Sequence, residues 1–187
     1  MAHCETEEAA QQLLMELRKR FSDCGLELHP DKTKIVYCKD DNRQGSYPET
    51  EFEFLGYSFR RREAKNRRNN ILFLSFNAAV SPKAMKSMRA KTREIGFSAR
   101  SDRSLEDIAK ECNPILRGWI NYYGQYNPTA LQPVFRHFNK SLVKWAMRKF
   151  KKLRGHKTKA TTFMEGISKR QPQLFAHWGS SMGAAFA

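Results

Sequence analysis

Residues 51–59 read Glu51-Phe-Glu-Phe-Leu-Gly-Tyr-Ser-Phe59, and they follow a charged turn, His29-Pro-Asp-Lys-Thr-Lys34, that joins two β-type runs. A glycine inside a strand pattern often marks a bulge or a place where another backbone must come close. Taken alone, Gly56 is most simply interpreted as a β-bulge in an ordinary sheet. The two segments in this order are more informative than the glycine.

The regions on either side of this stretch predict one helix and several strands. Apolar residues recur at three- and four-residue steps over residues 6–24, and Gly25 stands where a helix would stop. Residues 71–77 are apolar on both faces, which is typical of a covered strand that returns antiparallel to its neighbour. We therefore expect a helix at 6–24, strands at 26–29, 33–38, 52–60 and 71–77, and a polar loop at 40–50.

A strongly basic tract, Arg60-Arg-Arg-Glu-Ala-Lys-Asn-Arg-Arg-Asn69, connects the last two predicted strands. Its six cations would repel one another unless water, salt or a phosphate chain screened them. A solvated loop and a specific phosphate contact are both open interpretations.

From Ser81 onward the pattern changes to helices, which places the expected domain boundary at 78–82. Ser81 can cap a helix and Pro82 can occupy its first turn. We predict a short helix at 104–111, a fresh helix at 114–125 that begins at Asn113, and a long helix at 130–152. The expected inward stripes are Met85, Met88, Thr92 and Ile95 on the first helix, and Leu131, Phe135, Phe138, Leu142, Trp145 and Lys149 on the last.

The aromatic block in the 114–125 helix is either core or a surface that stacks on bases. Helix-spaced aromatic residues usually pack inward, so Trp119 is expected in the core. Gly118 is expected to permit the close approach of another helix at a modest cost in helix stability.

Composition restricts the class of protein. The chain has 187 residues, 40% of them hydrophobic, with 13 Phe and 3 Trp, so it can bury a core. A formal net charge of +15 indicates a polyanionic partner, with nucleic acid the leading candidate. No apolar run approaches the roughly 20 residues that span a bilayer, and the first residues lack a signal-peptide layout, so we expect an intracellular protein without a membrane partner. The cysteines, which form neither a zinc-type pair nor a disulfide scaffold, are Cys4, Cys24, Cys38 and Cys112.

The segments at 25–36 and 51–59 resemble the last two sequence blocks of the reverse transcriptase domain in bacterial group II intron-encoded proteins, the reverse transcriptase/maturases. Downstream segments resemble the thumb of that family, also called the maturase or X domain, and Arg117-Gly-Trp-Ile-Asn-Tyr-Tyr123 is the most specific of them. The resemblance runs from about His3 to Trp178. The other thumb-like segments are 81–85, 103–107, 113–124 and 143–149.

The resemblance implies an α+β fold, with a small antiparallel palm sheet and one N-terminal helix followed by an all-α thumb of three-helix type. The implied domains are the C-terminal part of the palm at 1–80, the thumb or maturase domain at 81–155, and a basic C-terminal extension at 156–187. The extension becomes small and uncharged at 179–187, which predicts a loose tail.

The family's catalytic Tyr-x-Asp-Asp turn is commonly followed by a His-Cys-like stretch, and here His3-Cys4 opens the chain. We therefore expect the metal-binding carboxylates to lie before residue 1. On that expectation this chain alone has no catalytic residue, no polymerase activity and no cofactor, whereas the full-length polymerase requires Mg²⁺. Tyr37-Cys-Lys-Asp-Asp41 has one residue too many for the catalytic turn and is interpreted as a solvated acidic turn.

The candidate nucleic-acid contacts come from the resemblance and from rows of cations. The resemblance implies that Lys32, Lys34 and residues 54–57 (Phe54, Leu55, Gly56 and Tyr57) lie on the palm near the primer-template. It also implies that one lysine, for which Lys32 is the better match, lies close to the polymerase site, and that the Phe54-Leu-Gly56 segment resembles a primer grip. A solvated surface is the alternative for every basic candidate. The remaining candidates are Arg60, Arg61, Arg62, Arg67 and Arg68 in the basic tract, and Lys83, Lys86, Arg89, Arg93, Arg117, Asn121, Lys140, Lys144, Arg148 and Lys152 in the helices.

The expected function is binding of group II intron RNA for splicing, and of an RNA template and DNA primer for reverse transcription, by a mobile-element protein of the bacterial cytoplasm. The missing fingers and N-terminal palm are the expected protein partner, and a homodimer is another way to cover an open sheet face. Two alternatives stay open: a stand-alone basic nucleic-acid-binding module, and a metal-dependent nuclease. The nuclease would use Asp23, Asp31, Asp40 or Asp41 with a histidine.

Overall fold

The computed structural model describes residues 1–43, 45–65, 69–179 and 186. Over these residues the chain forms two compact units: residues 1–52 with 60–76, and residues 53–59 with 77–187. No helix in the described ranges is both long enough and apolar enough to cross a bilayer. The elements are α1 (Glu7–Asp23), β1 (Phe52–Phe54), β2 (Tyr57–Lys65), β3 (Leu72–Val80), α2 (Pro82–Ile95), α3 (Leu105–Tyr123), α4 (Gln132–Lys149) and α5 (Lys157–Arg170).

The three strands form an antiparallel sheet in the order β1-β2-β3, which confirms the α+β class. The single strand predicted at 52–60 is wrong, because the chain reverses direction at Leu55 and Gly56. Both residues have positive φ angles, 49° and 80°, as in the I′ turns that join tightly paired strands. The strand predicted at 71–77 is confirmed, and β3 continues it to Val80.

In the first unit, α1 confirms the predicted helix. The Thr6 hydroxyl accepts a hydrogen bond from the Ala9 N–H (3.2 Å), and the chain leaves the helix through Gly25 at a φ of 69°. The strands predicted at 26–29 and 33–38 are wrong. The chain instead turns at His29, whose carbonyl accepts from the Thr33 N–H (3.0 Å), and Tyr37 makes an isolated backbone bond to Glu49 (2.9 Å). An alternating pattern gives strand propensity but does not supply a paired partner strand.

The helices predicted at 104–111 and 114–125 are one continuous helix, α3, with Pro114 inside it. Proline removes one helical hydrogen bond, but Pro114 is exposed, so water can reach the carbonyl that loses its donor. Asn113 is not the expected cap. Its side-chain amide pairs with the segment after α5 by donating to the Leu174 carbonyl (2.9 Å) and accepting from the Ala176 N–H (2.9 Å).

The core of the second unit is built around α4. The predicted inward side of this helix is confirmed, since its apolar side chains are almost completely buried from Leu131 to Trp145. Met88 and Thr92 of α2 are also buried as predicted, and Trp119 packs against the core. Lys149, predicted on the same stripe of α4, is half-buried, and its ammonium donates to the carbonyls of Ser101 and Arg103. The fully buried large side chains include Phe97, Ile108, Leu116, Leu131, Phe135, Phe138, Leu142, Met164 and Phe175.

Residues 156–178, to which the sequence assigned no element, form α5 and a segment that packs on α4. His177 is fully buried in this segment. The Asn139 Oδ1 accepts from the His177 Nε2 (2.8 Å) and from the Trp178 indole N–H (3.2 Å). In the region of the predicted loose tail, Gly179 is exposed and Phe186 is buried against Trp178, while residues 180–185 and 187 lie outside the described residues.

The β1–β2 turn packs against the C-terminal end of α3, within the second unit. The Tyr57 hydroxyl donates to the Tyr122 carbonyl, and the Tyr122 hydroxyl donates to the Leu55 carbonyl (3.0 Å). The Gly56 carbonyl accepts from the Ser81 N–H (2.8 Å). A Cβ at Gly56 would lie 2.7 Å from the Tyr123 hydroxyl oxygen. The interpretation of Gly56 as a β-bulge is therefore wrong, because the residue lies in a turn and packs against a tyrosine side chain.

Gly118, in contrast to Gly56, has open space where a Cβ would lie. A Cβ at this position would meet nothing within 4 Å, so the close helix approach predicted for Gly118 is wrong. The residue lies exposed in the interior of α3. A glycine there only weakens the helix relative to alanine.

Replacing Gly56 and Gly118 by alanine should therefore have opposite effects on the stability of the second unit. Gly56→Ala should lower the free energy of unfolding of the second unit by about 1–3 kcal/mol, because alanine is strained at this φ and collides with Tyr123. Gly118→Ala, the matched control, should raise it by about 0.5–1 kcal/mol. Urea unfolding followed by tryptophan fluorescence measures both, since Trp119, Trp145 and Trp178 all lie in this unit. Equal stability of the two variants would contradict the packing of the turn.

The second unit should also lose stability in acid. Burial lowers the pKa of His177 to about 3, from 6.5 for a free imidazole. The unfolded chain binds a proton below pH 6.5 and the folded chain does not, so this stability is present above pH 6.5 and is lost as the pH falls towards 3. The loss from this group between neutral pH and about pH 5 should be about 2 kcal/mol.

Urea unfolding at the two pH values tests this expectation. His177→Gln should reduce the pH dependence, because the glutamine amide can donate to Asn139 but does not titrate in this range. His156→Gln is the control, since His156 is exposed. Wild-type stability that stayed constant over this pH range would refute the burial of a neutral His177.

Candidate nucleic-acid interface

The cations of α2 lie away from its buried side. Met88 and Thr92 face the core, while Lys83, Lys86 and Arg93 are exposed. Arg89, also a predicted contact, is half-buried, and its Nε donates to the Met85 carbonyl one turn earlier (3.3 Å). This bond uses one of the five guanidinium N–H groups, so the others remain available.

The cations of α4 also lie on a side of the helix distinct from its core side. Lys140, Lys144 and Arg148 follow at four-residue steps and are exposed. Arg148 donates to the Ser98 carbonyl (3.0 Å), which ties it to the 3-10 turn after α2. Lys152 continues the row beyond the end of α4, in a short 3-10 turn at Lys151–Leu153, and is exposed.

The two rows meet at His137 of α4. This histidine lies one turn before Lys140, and α2 packs against α4. Burial lowers the pKa of His137, and the positive charges of Arg93, Arg89, Lys144 and Lys140 lower it further. Arg89 and Arg93 of α2, with Lys140 and Lys144 of α4, thus lie near enough for their charges to act on His137, and these four cations define the α2/α4 basic face. In the described part of the chain none of these four cations pairs with a carboxylate.

His137 was not among the residues that the sequence singled out. A signal for it was present, because His137, Lys140 and Lys144 follow steps of three and four residues and so share one side of a helix. Its charge state at neutral pH is ambiguous from sequence alone, and a scan for cations does not find it. The sequence also does not show that α2 lies beside His137, because that depends on tertiary packing.

The α3 candidates form a separate row. Arg117 and Asn121 are exposed on the side of α3 opposite its buried residues, and the Gln125 amide donates to the Asn121 carbonyl (2.8 Å). They are on a different helix from the four cations of the α2/α4 basic face. Their contact with nucleic acid stays a prediction.

The candidates in the β1–β2 turn differ in exposure. Phe54 and Leu55 expose 47% and 66% of their surface, so both can contact a ligand. Gly56 lies against Tyr123. Tyr57 is buried, and its ring lies 5.4–5.5 Å (centroid to centroid) from the rings of Tyr122, Tyr123 and Tyr126. Burial raises the pKa of Tyr57, so its hydroxyl stays protonated and acts as a donor within the protein.

The first unit carries the remaining basic candidates. Lys32, Lys34, Arg60 and Arg61 are exposed, whereas Arg62 is half-buried, and its pKa is lowered by burial and by the charge of Arg60. Lys34 forms an ion pair with Glu49 (3.0 Å) and Arg61 a long one with Asp41 (4.0 Å). Exposed pairs of this kind contribute little to stability and separate easily. The predicted contacts Arg67 and Arg68 lie outside the described residues.

Two of the four aspartates considered for a nuclease, Asp40 and Asp41, have structural partners. The Asp40 carboxylate accepts from the Asn42 N–H (2.9 Å), and the Asp41 carboxylate accepts from the Leu74 N–H (2.6 Å). Within the described ranges, no three histidine, cysteine or carboxylate side chains are grouped in a way that could hold a metal ion. Asp40 and Asp41 therefore stabilise the turn and its contact with β3.

Comparison with known proteins identifies a related family for part of the chain. Residues 85–162 match the family described as Group II intron, maturase-specific domain. No curated protein matches the chain. The matched region contains nearly all of α2, the whole of α3 and α4, and the first residues of α5, and thus the complete α2/α4 basic face. This match confirms the resemblance to group II intron maturases over residues 85–162, which are similar to the maturase-specific domain of that family.

Proposed function

We propose that this chain binds group II intron RNA through the α2/α4 basic face and supports splicing by holding the RNA in its active fold. The observation that supports this proposal is that Arg89, Arg93, Lys140 and Lys144 lie on two helices that pack together, within the region that matches the maturase family. Four like charges without carboxylate partners destabilise a protein that has no anion to bind. A polyanionic ligand removes this repulsion.

The form of the basic face suits RNA backbone recognition. The deep, narrow major groove of an A-form helix keeps side chains from the base edges, so phosphates and 2′-hydroxyls carry much of the recognition. Arginine forms forked hydrogen bonds with phosphate oxygens and lysine acts as a compact charge. Each phosphate that such a cation neutralises releases counterions, which makes the affinity depend steeply on salt.

A second part of the proposal concerns the template and primer. The exposed Phe54 and Leu55 at the β1–β2 turn offer apolar contacts, and Lys32 and Lys34 offer charge. By the family resemblance these residues contact an RNA template and a DNA primer. The polymerase would also need Mg²⁺ and the fingers and remaining palm as a protein partner, in the bacterial cytoplasm.

The double variant Lys140→Glu/Lys144→Glu tests the RNA interface. It should weaken binding to a group II intron RNA at least about tenfold at low salt, and it should reduce the slope of log affinity against log salt by about 2. Both lysines are exposed, so the fold should survive the change. Filter binding or fluorescence anisotropy at several salt concentrations gives both quantities.

The control is Lys157→Glu/Lys159→Glu, which makes the same change in net charge at exposed positions of α5. If both variants lost affinity equally, the binding would reflect net charge and the assignment to the α2/α4 basic face would fail. Duplex DNA of equal length is the second comparison. Equal affinity for this DNA and for the structured intron RNA would favour the generic nucleic-acid-binding module.

A further inference from the structure

The aromatic block at the end of α3 is divided between the core and the surface. Trp119 and Tyr123 pack against the core, whereas Tyr122 exposes 46% of its surface. Tyr126, in the turn that follows α3, exposes 68%. Both exposed rings lie against the buried Tyr57, at centroid distances of 5.5 Å and 5.4 Å. Tyr122 and Tyr126 therefore form one exposed aromatic surface on a buried ring, and we call it the tyrosine surface.

Hydrogen bonds of Tyr122 hold the tyrosine surface in place. The Tyr122 hydroxyl donates to the Leu55 carbonyl (3.0 Å), and the Tyr122 carbonyl accepts from the Tyr57 hydroxyl. The Tyr122 residue is thus fixed both at its backbone and at the far end of its ring. A ligand that binds to rings already ordered loses little free energy in ordering them. The tyrosine surface can therefore bind a flat ligand without rearranging.

The charges of α3 favour a nucleic-acid ligand for this surface. The last carboxylate of α3 is Glu111, and the sequence contains no other Asp or Glu before Glu165. The exposed side of the second half of α3 instead carries Arg117 and Asn121. Proteins that bind single-stranded nucleic acid combine aromatic rings, on which bases stack, with cations that attract the phosphate backbone. The tyrosine surface and the carboxylate-free half of α3 form this combination.

We propose that the tyrosine surface stacks on unpaired bases of the bound intron RNA, with Tyr126, the more exposed ring, as the main stacking residue. The inference rests on the proposed function and deepens it, because it adds single-stranded nucleotides to the phosphates bound by the α2/α4 basic face. Bases inside an A-form helix are already stacked on one another, whereas bases in loops, bulges and ends can be splayed out. The tyrosine surface therefore selects unpaired segments of the intron, with little preference among the bases.

The experiment measures the affinity of the full chain for a single-stranded RNA of about ten nucleotides and for an RNA duplex with about the same number of phosphates. Tyr126→Ala should weaken single-strand binding about fivefold or more, because it removes a stacking ring. Duplex binding should be nearly unchanged. The dependence of single-strand affinity on salt should also match wild type, because the substitution removes no charge.

Two further variants separate stacking from apolar contact and from folding. Tyr126→Trp and Tyr126→Leu both keep a large apolar side chain next to Tyr57, so both should fold. Tyr126→Trp should bind the single strand at least as tightly as wild type, whereas Tyr126→Leu should lose affinity as Tyr126→Ala does. Met15→Ala is the control, since Met15 exposes 62% of its surface in the first unit and its variant should bind as wild type does.

Wild-type single-strand affinity in Tyr126→Ala would overturn the inference, as would equal affinities of the Trp and Leu variants. An equal loss for the single strand and the duplex would also contradict it. If Lys140→Glu/Lys144→Glu still lost affinity for intron RNA in any of these cases, the proposed function would stand without a stacking site. If the wild-type chain bound no RNA at low salt, the proposed function would fail as well.

A second measurement uses the wild-type chain alone. A single-stranded RNA that contains an iodinated uridine forms a photochemical cross-link with an aromatic ring that stacks on the modified base. Mass spectrometry then locates the cross-linked residue. A cross-link to Tyr122 or Tyr126 supports the inference, and cross-links confined to other residues would refute it.

Discussion

Burial of one side of α4 is the constraint on which the second unit depends. Phe135, Phe138 and Leu142 are almost completely removed from water, and their burial fixes the rotation of the helix about its axis. Once this side is fixed, Lys140 and Lys144 must face outward. α2, α5 and the short 3-10 turns at 97–99, 128–131 and 151–153 all contact α4. The hydrophobic core therefore determines where the charges of the proposed RNA interface point.

The elements that could be predicted from the sequence are those whose apolar residues recur with a strong helical period over neighbouring turns. The α2 and α4 stripes follow helical spacing over several turns, and the structure buries the expected side of each helix. The predictions were wrong where tertiary contacts determined the local structure. Pro114 is tolerated because it is exposed, and Asn113 uses its amide for a distant segment instead of a cap. The 26–38 region has β-type runs in its sequence but no partner strand among the described residues. A single alternating run at 52–60 hides a reversal at two residues with positive φ.

The sequence predicted the rows of cations on the individual helices, but it did not predict which helices pack together. Spacing along one helix shows which cations share a row, because neighbouring turns place residues three and four apart on one side. It does not show which helices are neighbours. The approach of α2 to α4, and with it the surroundings of His137, depends on how Met88 and Thr92 pack in the core. Gly56 and Gly118 make the same point, since both occur in family-like segments and only Gly56 lies against another side chain.

The packing around Asn113 and Asn139 has a consequence for how the domain is delimited. The family match ends at residue 162, inside α5, but the core also requires Met164, Phe175 and His177. Both asparagine side chains hold the segment that follows α5 through its backbone or its aromatic side chains. A fragment cut at the family boundary would leave a split helix and an uncovered apolar cleft, and it would be expected to aggregate. The smallest piece that folds independently is set by these buried contacts and reaches well beyond the sequence signature.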